Sequence, residues 1–186
     1  PRKYSERALD LYFSQVVQLK KGVEAHLDVE ITDESLTKSI GLYNESRSLL
    51  KALNDLRKLD EPLINGSQTM EVMNASSRMP KETFNDRLRE LLRDLEHWKP
   101  IGKGRARVMI AGSALNNADF IQSIEQIGGL VVTDELCTGT RYWADPVAVS
   151  DHEEPLKAIA RRYLNNFPCA RMYPSEERFQ RMLNLI

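Results

Sequence analysis

One stretch of this chain, from Arg107 to Tyr142, restricts the possible folds more than any other, because two short apolar runs flank a helical pattern. The first run, residues 108–110, stops at Gly112-Ser113, and the second, residues 130–132, follows Gly128-Gly129. The order predicts a strand, a helix and a second, parallel strand, which together form a βα unit. The apolar face predicted for the helix consists of Phe120, Ile121, Ile124 and Ile127, with Asn117 or Asp119 as its N-cap.

Two loops of this unit are candidate binding sites, because ligands of open α/β sheets bind beyond the carboxyl ends of the strands. The loops are residues 112–117 and residues 133–142. Small residues at Gly112-Ser113 would let a ligand approach backbone amides at a helix N-terminus. The alternative is a tight connection capped by Asn116 and Asn117. The chain contains no G-x-G-x-x-G and no P-loop, so a dinucleotide fingerprint is absent.

The second loop concentrates polar and reactive residues. Arg141 can bind a carboxylate, phosphate or thioester oxygen through two parallel hydrogen bonds. Tyr142 and Trp143 offer flat walls to a ring. In the alternative that the sequence leaves open, Arg141 pairs with Asp134 or Glu135, and both aromatic side chains pack on the core. The residues that make this loop unusual lie within five positions: Cys137, Thr138, Gly139 and Arg141.

The composition argues against several classes of function. The chain has 26 Lys and Arg residues against 27 Asp and Glu residues and no basic tract, which predicts that it does not bind nucleic acid. Its apolar runs are too short to span a membrane, and no signal peptide is visible. Two cysteines, Cys137 and Cys169, are too few for a secreted disulfide scaffold, so we expect a cytoplasmic protein. They are also too few to complete a four-thiolate metal site alone.

Helical patterns fill most of the remaining sequence. We divide the chain into a mainly helical region, residues 1–104, and a Rossmann-like or flavodoxin-like α/β region, residues 105–186. Two parallel strands alone make a poor sheet, so we expect a segment of a longer polypeptide. The long amphipathic helices within residues 4–60 suggest a partner surface. The predicted helices cover residues 4–26, 32–58 with Thr32 as N-cap, 66–73 capped by Gly66-Ser67, 80–95 and 155–165, and a last helix is capped by Ser175.

Three motifs, taken in chain order, resemble those of one protein family. The first is Pro62-Leu-Ile-Asn-Gly-Ser-Gln-Thr-Met-Glu, followed by Met79-Pro80. The second joins Met109-Ile-Ala-Gly-Ser-Ala-Leu-Asn-Asn-Ala-Asp-Phe-Ile to Leu136-Cys-Thr-Gly-Thr-Arg-Tyr-Trp, and the third is Pro168-Cys-Ala-Arg-Met. Together they resemble the 2-hydroxyacyl-CoA dehydratase D-component family, which includes 2-hydroxyglutaryl-CoA dehydratase and benzoyl-CoA reductase subunits. The resemblance covers nearly the whole chain and implies the middle portion of a longer one.

The resemblance implies an iron–sulfur enzyme that acts on acyl-CoA thioesters. In such enzymes two related subunits form a heterodimer, each holds a [4Fe-4S] cluster, and a separate ATP-dependent activator protein delivers one high-energy electron. The thioester becomes a ketyl radical, which in the dehydratases expels the hydroxide positioned β to the radical carbon and in the reductases leads to ring reduction. The implied partners are therefore the acyl-CoA substrate, a homologous second subunit and the activator. The isolated chain of 186 residues is expected to be inactive.

The resemblance also indicates which residues could bind the substrate or a metal, while the catalytic residues stay unknown. The family's cluster is held by three cysteines, two of an earlier α/β region and one further downstream, so this segment alone is not expected to hold it. Cys137 and Cys169 are the candidate metal ligands of this chain, and a structural role is the preferred interpretation for both. Ala114 and Ala170 replace prolines of the family pattern. The candidates for substrate or CoA binding are Ser113, Asn116, Thr138, Gly139, Arg141 and Tyr142.

Two other functions stay open at this stage. One is a non-catalytic module or scaffold subunit that binds acyl-CoA or a nucleotide and lacks a cluster. The other is a helical interaction domain, residues 1–100, with an attached βα unit. The sequence decides neither the acyl group nor the choice between dehydration and reduction.

Overall fold

The computed structural model describes residues 5–150, 152–166 and 176–185. Both predicted strands and the helix between them are present, so the predicted α/β class with a helical first half is confirmed. The elements, in chain order, are α1 Glu6–Leu27, α2 Asp33–Lys58, α3 Gly66–Arg78, α4 Lys81–Leu95, β1 Ala106–Ala111, α5 Ala118–Gln126, β2 Gly129–Glu135, α6 Thr140–Trp143, α7 Pro155–Asn165 and α8 Glu176–Leu185.

Side-chain caps explain where two of the predicted helices begin. The Thr32 hydroxyl accepts a hydrogen bond from the backbone N–H of Ser35 at 3.1 Å, which confirms the predicted start of α2. Of the two candidates for α5, Asn117 is the cap, because its side-chain oxygen accepts from the N–H of Phe120 at 3.1 Å. Asp119 instead lies in the first turn, where its carboxylate favours the helix dipole.

The start of α3 differs from the prediction. Gly66-Ser67 does not cap this helix but forms its first turn, and Asn65 is the N-cap. The Asn65 side chain accepts from the N–H of Gln68 at 2.8 Å, and the Gln68 side chain accepts from the N–H of Asn65 at 3.1 Å. This reciprocal capping box satisfies two backbone donors, which Gly66 cannot do because it has no side chain.

The two strands pair in parallel, and their register contains one irregularity. Ala106 lies opposite Gly129, and Val108 lies opposite Val131. Met109 then lies opposite Thr133, so Val132 is the extra residue in β2. All seven residues of β2 are buried, whereas β1 is partly exposed. Continuous burial is typical of a parallel strand that helices cover on both faces.

The larger of two core clusters in the described part of the chain joins the helical region to the α/β unit, and the smaller one joins Ile40 of α2 to Val147 and Ala158. Helices α2, α3 and α4 supply one side of the larger cluster, and α5, β2 and the following turn supply the other. The core therefore contains residues from both sides of the boundary that we placed at residue 104, and that boundary stays a prediction. The buried members of the larger cluster are Leu50, Leu53, Ile64, Met70, Met73, Phe84, Leu88, Leu95, Ile121, Val131, Leu136 and Trp143.

The predicted apolar face of α5 is only partly correct. Ile121 is buried and Ile124 packs against the core, but Phe120 is 51% exposed and Ile127 is 87% exposed. The helix ends at Gln126, so Ile127 lies beyond its last turn. The second buried residue of α5 is Glu125, a charged residue that a hydrophobic pattern does not detect.

Helix α1 presents apolar side chains away from the described core. Leu11 is 60% exposed and Leu19 is 66% exposed, although α1 also packs against α7. This exposure is compatible with the partner surface expected for residues 4–60, which stays a prediction. Among the residues described, the helices are too short or too polar for any of them to cross a lipid bilayer.

Candidate functional site

The carboxyl ends of β1 and β2 lie side by side, so the two predicted binding loops meet. Ala111 pairs with Glu135, and the N–H of Gly112 donates to the carbonyl of Glu135 at 3.2 Å. One step further, the N–H of Cys137 donates to the carbonyl of Ser113 at 3.3 Å. The parallel order of the strands brings the loops together, as expected for the ligand edge of an α/β sheet.

Thr138 joins the two loops through its hydroxyl group. Its Oγ1 accepts a hydrogen bond from the N–H of Leu115 at 3.1 Å and donates to the Leu115 carbonyl. Helix α3 adds a third wall, because the Asn74 side chain donates to the carbonyl of Asn116 at 2.8 Å. The loop that follows β1 is therefore fixed both to the loop that follows β2 and to α3.

A cleft of about 170 Å³ lies where α3 and these loops meet. Three predicted substrate-binding residues line it, namely Asn116, Thr138 and Tyr142. Complete pockets for drug-sized ligands occupy roughly 300–1,000 Å³, so this cleft fits only part of a ligand of that size. The full lining consists of Met73, Asn74, Ser76, Ser77, Arg78, Asn116, Cys137, Thr138 and Tyr142.

The other three predicted residues do not line this cleft. Ser113 is exposed in the adjoining loop, whereas Gly139 and Arg141 are buried. A Cβ atom on Gly139 would lie 1.9 Å from Asp134 Oδ1, so only glycine fits at this position. We retain substrate contact as a prediction for all six residues.

Arg141 is 1% exposed and pairs with Glu135, which is fully buried. Its Nε and Nη2 atoms contact Glu135 Oε2, and Nη2 also donates to the Glu135 carbonyl at 2.9 Å. These hydrogen bonds raise the pKa of Arg141 above its ordinary value. Of the two pairings that the sequence left open, the structure contains the one with Glu135. Trp143 is buried in the core, as the same alternative predicted.

Arg141 also reaches the candidate thiol of the site. Its Nη1 lies 3.2 Å from the Sγ atom of Cys137, which is exposed and forms no disulfide. The thiol of Cys137 therefore lies at the wall of the cleft in contact with the Arg141 guanidinium group.

A second buried ion pair lies beneath the same loop, and the sequence analysis did not find it. Arg57 of α2 lies 2.7 Å from Asp134 Oδ2, and the other Asp134 oxygen accepts from the N–H of Thr140 at 2.9 Å. The sequence does contain an indication of this pair, because Arg57 continues the buried stripe of Leu50 and Leu53 at helical spacing. A charge on such a stripe requires a buried partner.

The described residues do not fit a metal cluster by themselves. Within residues 5–150, 152–166 and 176–185, no group of three His, Cys, Asp or Glu side chains is placed to hold a metal ion. Cys137 is accessible but stands without further thiolate ligands in this part of the chain. Cys169, the other candidate ligand, lies outside the described residues.

The sequence comparisons define the class of protein. A family model described as 2-hydroxyglutaryl-CoA dehydratase, D-component, matches residues 1–186. The chain belongs to this family, which confirms the resemblance seen in its motifs.

Curated relatives show which proteins the chain is similar to. It is 28% identical over 182 residues to YjiM of Escherichia coli (strain K12), covering 95% of this chain and 47% of that protein. It is 26% identical over 156 residues to a subunit of the benzoyl-CoA reductase of Thauera aromatica, covering 83% and 40%. It is 23% identical over 149 residues to the (R)-phenyllactyl-CoA dehydratase beta subunit of Clostridium sporogenes, covering 80% and 39%. The chain thus spans less than half the length of each relative.

Proposed function

We propose that this chain is part of a subunit of a cytoplasmic enzyme that acts on acyl-CoA thioesters, by dehydrating a 2-hydroxyacyl-CoA or by reducing a benzoyl-CoA-type substrate. The family match over residues 1–186 carries the proposal. Relatives named as a benzoyl-CoA reductase subunit and a phenyllactyl-CoA dehydratase subunit support both reactions. The full protein works with a homologous second subunit and an ATP-dependent activator protein.

The cleft at the strand ends is the proposed binding site for the acyl portion of the substrate. Its volume of about 170 Å³ suits a small acyl group. The Tyr142 ring and Met73 provide apolar walls, while Asn116 provides an amide. The fixed Leu115–Thr138 connection holds these groups in place, so that a bound thioester is oriented and water is excluded.

The iron–sulfur centre requires ligands from outside this segment. The described part of the chain supplies no three-ligand group, and the sequence contains only two cysteines. A [4Fe-4S] cluster would supply the electron for thioester reduction, and we propose that cysteines elsewhere in the polypeptide hold it. Residues of this chain then bind and orient the substrate. We assign them no role in electron transfer.

The decisive experiment uses the full polypeptide, purified without oxygen together with its partner subunit and activator. We expect iron and acid-labile sulfide in about a 1:1 ratio, as in a cubane cluster, and ATP-dependent conversion of an acyl-CoA. Acyl-CoA should also slow the alkylation of Cys137, because this thiol lines the cleft. A protein that binds acyl-CoA but contains no iron would instead support the non-catalytic module.

The cleft is tested separately by replacing one wall residue. Asn116→Ala should weaken protection of Cys137 by acyl-CoA, since the Asn116 amide lines the cleft. Ser123→Ala is the matched control, because the Ser123 hydroxyl bonds to the Phe120 carbonyl on the exposed side of α5. Equal protection in both variants would place the acyl group elsewhere.

A further inference from the structure

Three buried cations lie on α2 and on two helices that pack near it, α4 and α7, and the charge of Arg47 on α2 acts on the other two. Arg47 is 7% exposed, Lys81 is 8% exposed and Arg162 is 7% exposed. Over the described ranges of the chain, none of the three forms an ion pair with a carboxylate, unlike Arg57 and Arg141. Buried charges are normally paired, so this unbalanced cluster indicates a missing anion.

Lys81 lies in an aromatic cage. Its Nζ is 5.3 Å from the centres of the Tyr43 and Phe84 rings and 5.6 Å from the centre of the Tyr142 ring. It also donates to the Ser76 carbonyl. The rings and the carbonyl stabilise the cation only in part, because neither carries a full negative charge.

Arg47 lines an open cleft of about 250 Å³ between α2 and α7. Within the part of the chain that the structure describes, its one hydrogen bond to the protein is from Nη1 to Asn44 Oδ1, at 2.8 Å. The same Asn44 side chain is held by the backbone of Val147 at 2.8 and 2.9 Å. Arg47 is therefore fixed in position while its other N–H donors remain available to the cleft.

Besides Arg47, the cleft is lined by three hydroxyl-bearing residues and by the aliphatic residues Ile40, Val147 and Ile159. Ser39 and Tyr43 come from α2, and Tyr163 comes from α7. The guanidinium group of Arg162 stacks 4.8 Å from the centre of the Tyr163 ring. A serine and two tyrosines can each donate one O–H hydrogen bond, in addition to the fork of Arg47.

The charge of Arg47 repels the other two buried cations. Burial lowers the pKa of Lys81, and the charge of Arg47 lowers it further. Burial and Arg47 also lower the pKa of Arg162. Asp145, which acts on Arg162, and Glu82, which acts on the neighbouring Tyr43, are both exposed to solvent, where their charges are screened. An anion in the cleft would relieve the repulsion among the cations.

We propose that the cleft between α2 and α7 binds a phosphoryl oxyanion, with Arg47 as its main ligand. The planar guanidinium fork matches two oxygens of a phosphate, and the hydroxyls of Tyr43 and Tyr163 can reach the remaining oxygens. Lys81 stabilises the anion through the field of its charge. Nothing in the family description or in the names of the relatives assigns such a site.

The phosphoryl group can be inorganic phosphate or part of a larger ester. Tyr142 lines the cleft at the strand ends, and Tyr43 lines the cleft between α2 and α7. The Lys81 ammonium group contacts both of these rings and so connects the two clefts. An elongated thioester could therefore place its acyl group in one cleft and a phosphate in the other. This second source rests on the proposed function, whereas the site for inorganic phosphate does not.

The site is tested by calorimetric titration of the full polypeptide with inorganic phosphate. A titration with chloride at equal ionic strength is the reference. We expect specific phosphate binding that Arg47→Gln weakens roughly ten-fold or more, as the loss of a charged bidentate contact implies. Arg89→Gln is the matched control, because Arg89 is already paired with Glu45 and Asp86. Tyr163→Phe, at a position 41% exposed, keeps the ring and should weaken binding even if the Arg47 variant fails to fold.

Competition with coenzyme A and its 3′-dephospho form identifies the source. Displacement of phosphate by coenzyme A but not by the dephospho form would identify the 3′-phosphate as the bound group. Displacement by both forms would identify the pyrophosphate as the bound group. Displacement by neither form would identify free phosphate as the ligand. Each of these three results supports the site. Phosphate binding that is absent, or that persists unchanged in the Arg47 and Tyr163 variants, overturns it. Absence of phosphate binding would not change the protection that acyl-CoA gives Cys137 against alkylation, so the two proposals can fail independently.

Discussion

The carboxylate of Glu125, at the end of α5, caps the N-terminus of α3 at Gly66. Its Oε1 accepts a hydrogen bond from the N–H of Gly66 at 2.7 Å, and its Oε2 accepts from the Ser67 hydroxyl at 2.8 Å. Oε1 also lies 3.3 Å from the N–H of Val131 in β2. One buried carboxylate thus connects two helices and a strand, at a helix end where negative charge is favoured.

Replacing this carboxylate should destabilise the protein. Glu125→Gln keeps the shape but removes the charge and one acceptor, so we expect a loss of about 1–3 kcal/mol in the free energy of unfolding. Urea unfolding measures it. Glu71→Gln, at an exposed position of α3, should change stability by less than about 0.5 kcal/mol. Equal effects of the two substitutions would contradict a capping role for Glu125.

Gly139→Ala should be more harmful than an alanine at most other glycines. The new Cβ would lie 1.9 Å from Asp134 Oδ1 and would displace the carboxylate that Arg57 and Thr140 bind. We expect a loss of about 1–3 kcal/mol, the usual range for overpacking. Gly41→Ala has open space around it within α2 and should stabilise the protein by about 0.5–1 kcal/mol. Thermal unfolding of both variants tests this difference in sign.

The substitution Arg141→Lys should show whether Arg141 stabilises the fold or serves only to bind a ligand. An ammonium group cannot reach the Glu135 carboxylate, its carbonyl and Cys137 Sγ together, so Glu135 would lose part of its pairing. Breaking a buried ion pair costs about 3–5 kcal/mol, and this variant should lose a substantial part of that amount in urea unfolding. Unchanged stability with weaker acyl-CoA binding would instead assign Arg141 to the ligand.

Lys81 should make the stability of the protein rise with pH as the pH approaches the ordinary pKa of lysine from below. Burial, followed by Arg47, lowers its pKa below the ordinary 10.5. Between the folded and unfolded pKa values the unfolded state binds more protons, so the free energy of unfolding increases with pH. Lys81→Met lacks this contribution, and the advantage of the wild type should therefore grow as the pH rises toward the ordinary lysine pKa of 10.5.

The contributions of other titrating groups near Lys81 cancel when the wild type is compared with Lys81→Met. Burial raises the pKa values of Tyr43 and Tyr142, which reduces stability at higher pH, but both tyrosines are present in the two proteins. Urea midpoints at several pH values provide the measurement. A stability difference that stays constant with pH would show that Lys81 keeps an ordinary pKa.

Local features of the fold could be predicted from the sequence because their causes are local. The two apolar runs, the cap at Thr32 and the helix that begins at Pro155 each depend on residues within one or two turns. The error in the predicted start of α3 is also local and amounts to one residue, because Asn65 immediately precedes the glycine that was taken as the cap. Helix α6 was missed, since Thr140–Trp143 is only one turn long.

The contacts that shape the site could not be predicted in the same way. Glu125 and Gly66 are 59 residues apart, and Arg57 and Asp134 are 77 residues apart. A single sequence contains the charges but not their pairing, so Arg141 could be assigned to a ligand or to a neighbour with equal reason. Asn116, Thr138 and Tyr142 reached one cleft because the ends of parallel strands always meet at one edge.

The hydroxyl of Thr138, bonded in both directions to Leu115, has a further consequence for affinity. The loops it joins lose their conformational freedom when the chain folds, before any ligand arrives. Binding in the cleft then carries a smaller entropic penalty than binding to mobile loops, because the walls are preorganised. The cleft should therefore select ligands by shape, with little capacity to adapt to a larger acyl group.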